Sequence, residues 1–160
     1  MVNAVQRRLN YARAAATFVS AYVVVTILGI ALSVLISIVK HTPQTSEPLE
    51  NAAYLLSERF LPGLNLVVWG MFAWVYFRGR RHSNWSELRD EAFALGAFWL
   101  VTAVVVDYVG FVLIKNPISL SPHDFYIGQF PWIYLIYVAV FFAPLCWVKL
   151  AKALRGNAAG

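Results

Sequence analysis

The chain contains one cysteine, Cys146, and three histidines, His41, His82 and His123, scattered among loops. A single thiol excludes an intrachain disulfide, a CxxC redox pair and a cysteine metal cluster. The placement of the histidines excludes an HExxH-type zinc helix. The sequence therefore offers no catalytic set and no metal ligands, and no motif names a cofactor. Charge is scarce too: Asp, Glu, Lys and Arg make up 13% of the chain, whereas hydrophobic residues make up 60% of its 160 residues. The charged share is about half that of a soluble domain. So much apolar surface does not fit inside one small water-soluble core, and lipid is the solvent that suits it. The net charge of +5 does not point to nucleic acid. The basic residues sit at the ends of apolar runs, where topology and anionic lipid account for them.

What is present is a set of long apolar runs. They predict an all-α, polytopic membrane protein: a single-domain four-helix transmembrane bundle with spans over residues 14–39, 61–77, 92–114 and 131–148. The first run follows Arg7, Arg8 and Arg13, as a signal peptide would. It is far longer than a signal core of about 7–15 residues, so it reads as a retained span. Lys40, His41 and Pro43 end it, and Arg78, Arg80 and Arg81 close the second. Asn84 followed by Glu87 has the spacing of a capping box, which starts the third helix near Trp85, ahead of the lipid. Glu87, Arg89, Asp90 and Glu91 then read as a solvated charged turn. Pro131 opens the fourth span, and Pro144 is expected to bend its inner end.

Short interfacial helices are expected in both outer loops. In the first, Ser46 is a candidate cap. Leu49, Ala53, Leu56 and Phe60 then fall on one face, either as a surface helix or as the first turns of the next span kinked at Pro62. In the second, Ser121-Pro122 starts a turn that carries Phe125, Tyr126 and Ile127 and stops at Gly128. His123-Asp124 reads as part of that capped turn rather than as a catalytic pair. Lys40/Pro43 with Lys115/Pro117, and Phe60/Pro62 with Phe130/Pro131, also allow a parallel duplication of two hairpins.

Orientation follows from charge. With both termini in the cytoplasm, ten of the thirteen Lys and Arg residues are inside, and only Lys40, Arg59 and Lys115 are outside. That is the positive-inside pattern, with loops short enough for it to apply. Trp74, Tyr76, Phe77, Trp85 and Trp147 are expected at the inner interface; Tyr126, Phe130, Trp132 and Tyr134 at the outer one. The expected location is a bacterial-type inner or plasma membrane. In a Cys146→Ser background, Gln44→Cys and Ser119→Cys are expected to react with an impermeant thiol reagent from outside, and Ser83→Cys and Asn157→Cys are not. Labelling of Ser83→Cys in intact cells would reverse the orientation.

Asp107 is the one acid inside an apolar run, Val104-Val-Val-Asp-Tyr-Val-Gly. A charge at mid-helix costs about 2.5–3.5 kcal/mol on insertion, so it calls for partners. Ser33, Asn65, Tyr134 and Tyr137 reach similar depth from the other spans, and Tyr108 is adjacent. These six predict a polar pocket in the outer leaflet, roofed by the loop of His123 and Asp124. Gly29 and Gly110, with Ala21 and Ala31, are the candidates for close helix contact, although no span holds a GxxxG pair.

Three readings of function follow. The first is a small membrane protein that binds or passes a small molecule, ion or lipid at the Asp107 pocket. The second is a non-catalytic accessory or immunity-type subunit that grips another membrane protein or a second copy of itself. The third, an intramembrane enzyme, is the least supported, and a two-aspartate protease mechanism is excluded by the single intramembrane acid. The first requires Asp107 to face the bundle interior; the second prefers Asp107, or an apolar patch with small residues, to face outward.

Overall fold

The computed structural model describes residues 9–42, 51–79, 84–114 and 120–157. The cap expected at Ser46, the side chain of Leu49 and the segment from Lys115 to Ser119 lie outside these residues. The described chain is an all-α membrane bundle with three apolar helices long enough to cross a bilayer, and a fourth if a bent pair counts as one span.

Helix α1, Tyr11–Lys40, begins three residues before the expected span because the Asn10 side chain accepts from Arg13 N at 3.0 Å and caps it. It stops where His41 turns left-handed (φ 51°) and returns its N–H to Ile38 and Ser37 carbonyls, with Lys40 on the negative end of the helix dipole. Helix α2, Ala52–Glu58, is capped by Asn51 and meets α3, Leu61–Phe77, at a bend of 53°. The segment before α3 thus forms a short helix set off from it by the bend. Seventeen residues of α3 rise about 25 Å, slightly less than a bilayer core, so the bent pair is needed to reach across.

Helix α4, Trp85–Asp107, starts at Asn84, whose Oδ1 accepts from Glu87 N at 2.8 Å while its Nδ2 donates to Glu87 Oε1 at 3.2 Å. It runs directly into a π-helical segment, π1, Tyr108–Leu113. A second π-helical turn, π2, Asp124–Gly128, follows the Ser121 cap, where Asp124 N donates to Ser121 Oγ at 3.1 Å. Helix α5, Trp132–Asn157, completes the fold and carries Pro144 in its interior. Each half of the chain thus repeats the order long helix, short helix, long helix.

The packing of the two halves is not equivalent. α5 lies chiefly against α3 and α4, whereas α1 leans on α3 and α2. The core is aromatic. Trp69 sits 5.1 Å from Trp99 and 5.4 Å from Phe18 between ring centres. The outward faces of the long helices, at Val23, Ile27, Val67, Met71, Val101 and Val105, are exposed and apolar, as lipid requires.

Close helix contact falls at neither glycine expected to allow it. A methyl group on Gly110 would meet nothing within 4 Å, and one on Gly29 would make ordinary contact with Leu61 at 3.4 Å. The tight crossing is at Gly96, where such a methyl would lie 2.3 Å from the Phe141 carbonyl oxygen on α5. The charged turn also differs. Glu91 is buried, not solvated, and accepts from Tyr76 Oη at 2.7 Å. Tyr76 Oη in turn accepts from Asn10 N at 3.1 Å. Tyr76 and Phe77 therefore belong to the core rather than to an interfacial belt, with Phe77 stacked 5.0 Å from Trp147.

Candidate functional site: the cavity above Asp107

α1 and α4 run parallel in a fixed register. Trp99 Nε1 donates to the Ala14 carbonyl at 3.1 Å, and Tyr22 Oη donates to Asp107 Oδ1 at 2.5 Å. The two contacts are eight residues apart on both helices, about 12 Å of rise. The first joins a side chain to backbone; the second needs two side chains to bridge the gap, so the helices are already separating there. Ala14, Thr17, Phe18 and Ala21 of α1 are buried, yet between Ala21 and Ser37 no residue is. Asp107 thus marks the level at which α1 separates from α4, while farther along it still rests against α2 and α3.

The wedge opened by this divergence is a cavity of about 480 Å³. It holds a three-helix cluster around one carboxyl group, Tyr22 from α1 on Oδ1 and Tyr137 from α5 on Oδ2 at 3.0 Å, and reaches about one turn past it to Ala103 and Val140. Asp107 is 8% exposed and stands at the junction of α4 with π1. π-helical turns within α-helices recur at functional sites because the wider turn re-aims side chains.

The walls are apolar, with Gly29 and Ile30 of α1, Ala103 of α4, Phe111 of π1, and Ile136 and Val140 of α5. Ile30, Val34 and Thr26 line the cavity and are also exposed, so on the α1 side a single helix separates it from the surroundings. The roof is built from both outer loops. Gln129 Nε2 donates to Tyr54 Oη of α2 at 2.7 Å, and Leu120 N donates to the Phe111 carbonyl at 2.9 Å. On α2 the docked residues are Ala53, Ser57 and Glu58, while Leu56 is half-buried and Phe60 is 57% exposed. Of the expected face, Ala53 is docked and Leu56 is partly so, while Phe60 points away from the bundle.

Of the six residues singled out in the sequence, Asp107, Asn65, Tyr137 and Ser33 line this one cavity. Tyr108 and Tyr134 do not, and are 41% and 43% exposed. Each lies within one turn of a cavity residue, Asp107 or Tyr137, but on another side of its helix. Tyr108 is one residue, about 100°, around the helix from Asp107, and Tyr134 flanks the face set by Ile133, Tyr137 and Val140. Asn65 is engaged within its own helix, donating to the Leu61 carbonyl at 2.9 Å and accepting from Trp69 Nε1 at 3.0 Å. His123 and Asp124 are not part of the roof. Their side chains lie 3.5 Å apart and exposed, and a hydrogen bond from Ser121 holds the Asp124 carboxyl below its usual range.

Sequence reasoning passed over Tyr22, Tyr54 and Gln129. For Tyr22 a signal existed: Tyr22, Thr26, Gly29 and Ser33 recur at helical spacing as a stripe of polar or small residues in an otherwise aliphatic run. Among the described residues, no group of three or more His, Cys, Asp or Glu is placed to hold a metal ion. The arrangement is a mostly apolar slot with hydrogen-bonding groups around Asp107 and again beneath the loops, where Asn51, Tyr54, Ser57 and Gln129 line it. No protein-family model, curated protein or solved structure matches the chain.

Proposed function

We propose that the protein binds an amphiphilic small molecule or lipid in the cavity above Asp107, reached sideways from the outer leaflet of an inner or plasma membrane, with both termini cytoplasmic. The observation that carries this reading is the wedge that holds the Tyr22–Asp107–Tyr137 cluster. The two tyrosine hydroxyls each take one lone pair of the carboxyl group, which leaves acceptor capacity for a donor on the ligand. The ligand head is therefore a hydrogen-bond donor, an amine or hydroxyl, and its body is apolar. The burial of Asp107 inside the bundle is what this reading requires; an accessory subunit would grip its partner by an outward acid or by an apolar patch with small residues.

The test is to fill the slot. Ser33→Trp puts an indole into the cavity from α1, and Val23→Trp puts one on the exposed face of the same helix. Each protein is purified from its native membrane in a mild detergent, and retained molecules are extracted and identified by mass spectrometry. Wild type and Val23→Trp are expected to carry a non-detergent amphiphile that Ser33→Trp has lost. An empty wild-type protein, or a Ser33→Trp variant that retains as much, refutes the proposal.

A further inference from the structure

At the opposite end of the bundle, α4 and α5 leave a second groove of about 800 Å³. Its chemistry is graded along its length. Phe93 of α4 and Phe142 and Cys146 of α5 line the part toward the bilayer centre, and all three are exposed. Arg89 of α4 and Lys149 and Lys152 of α5 line the part toward the chain termini. The α4 residues stand four apart, and Phe142, Cys146 and Lys149 follow at helical intervals, so each helix presents one stripe to the groove.

The charge at the basic end is not neutralised internally. Asp90, the acid in the groove, lies 3.4 Å from Arg89. Lys149 and Lys152 have no ion pair among the described residues. Trp85, half-buried at the rim, has the amphipathic ring that settles at the headgroup level. An apolar channel that leads into an uncompensated cationic end, at interfacial depth, matches the profile of one phospholipid with its phosphate among the basic groups.

We propose that this groove is a binding site for an anionic phospholipid. The phosphate is held by Lys149 and Lys152 with help from Arg89, and an acyl chain lies along Phe93 and Phe142. The site is separate from the cavity above Asp107 and does not depend on it. Near an anionic membrane each Lys or Arg strengthens binding roughly fivefold. Lys149→Gln/Lys152→Gln should therefore weaken it by at least roughly tenfold. Both lysines are exposed, so the double variant should melt as wild type does.

The experiment titrates delipidated protein in neutral detergent with phosphatidylglycerol or phosphatidylcholine and counts bound lipids by native mass spectrometry. Wild type, Lys40→Gln (a charge removed from the far end of α1) and Lys149→Arg/Lys152→Arg should all prefer phosphatidylglycerol. Lys149→Gln/Lys152→Gln should lose that preference. Millimolar inorganic phosphate should not displace the lipid. Equal binding of the two lipids by wild type, a preference that survives in the Gln variant, or displacement by phosphate alone overturns the proposal. Dimerisation of wild type through this groove in place of lipid uptake does so as well.

Discussion

Asp107→Leu is expected to lower thermal stability in detergent markedly, whereas Asp107→Asn is expected to be nearly silent. Leucine removes the acceptor of two tyrosine hydroxyls at once, Tyr22 at 2.5 Å and Tyr137 at 3.0 Å. Each unpaired hydroxyl costs about 1–3 kcal/mol where water does not reach it. The loss also unties α1 from α4 and α5 at the level where α1 diverges, so hydrogen exchange should rise in the outer half of α1 and not in α3. Asparagine keeps one carbonyl acceptor for one tyrosine, and its amide can donate to the hydroxyl oxygen of the other.

Ligand binding separates the two variants in the opposite sense. In Asp107→Asn a donor replaces one of the two acceptor atoms facing the cavity. A hydrogen bond is worth about 0.5–1.5 kcal/mol net, so binding of a donor-headed amphiphile should fall by up to roughly tenfold while the fold persists. Purified Asp107→Asn that melts like wild type but retains less amphiphile meets the expectation. If Asp107→Leu is as stable as wild type, the carboxyl group does not hold the three helices together. If Asp107→Asn retains the amphiphile in full, the head does not bind at Asp107.

Gly96→Ala is the second change expected to have a large effect, from a single methyl group. That methyl would sit 2.3 Å from the Phe141 carbonyl oxygen and 3.2 Å from its carbon. The obstacle is backbone inside a helix, which cannot rotate aside as a side chain does. α4 and α5 must move apart along one of the two principal seams of the bundle, opening the Phe93–Phe141 edge contact, now at 5.3 Å. Overpacking of this kind costs about 1–3 kcal/mol. Gly70→Ala is the contrast: its methyl meets nothing within 4 Å, and alanine gains up to about 1 kcal/mol of helix propensity. Melting curves of the two variants in one detergent should therefore shift in opposite directions, or only Gly96→Ala should shift. A Gly96→Ala protein as stable as wild type would place the tight crossing elsewhere.

The sequence by itself determined where the helices lie along the chain. A segment in lipid must satisfy its backbone internally over about 20 residues, so the apolar runs and the charges that bound them mark α1, α3, α4 and α5 in one dimension. Local capping chemistry was equally legible, because Asn84 with Glu87 and Ser121 before Asp124 act within three residues of themselves. The depth of Asp107 and the need for partners followed from the same linear reasoning. What only the tertiary structure decided was azimuth and distance between helices. Lipid-facing and core-facing surfaces are both apolar here, so periodicity does not separate them as it does in water. That is why Tyr22 rather than Tyr108 or Tyr134 meets the Asp107 site, why Gly96 rather than Gly110 lies at the crossing, and why Glu91 is buried under Tyr76. The cavity exists because α1 parts from α4 above residues 22 and 107, and that divergence arises from the packing of five helices together rather than from any one run of residues.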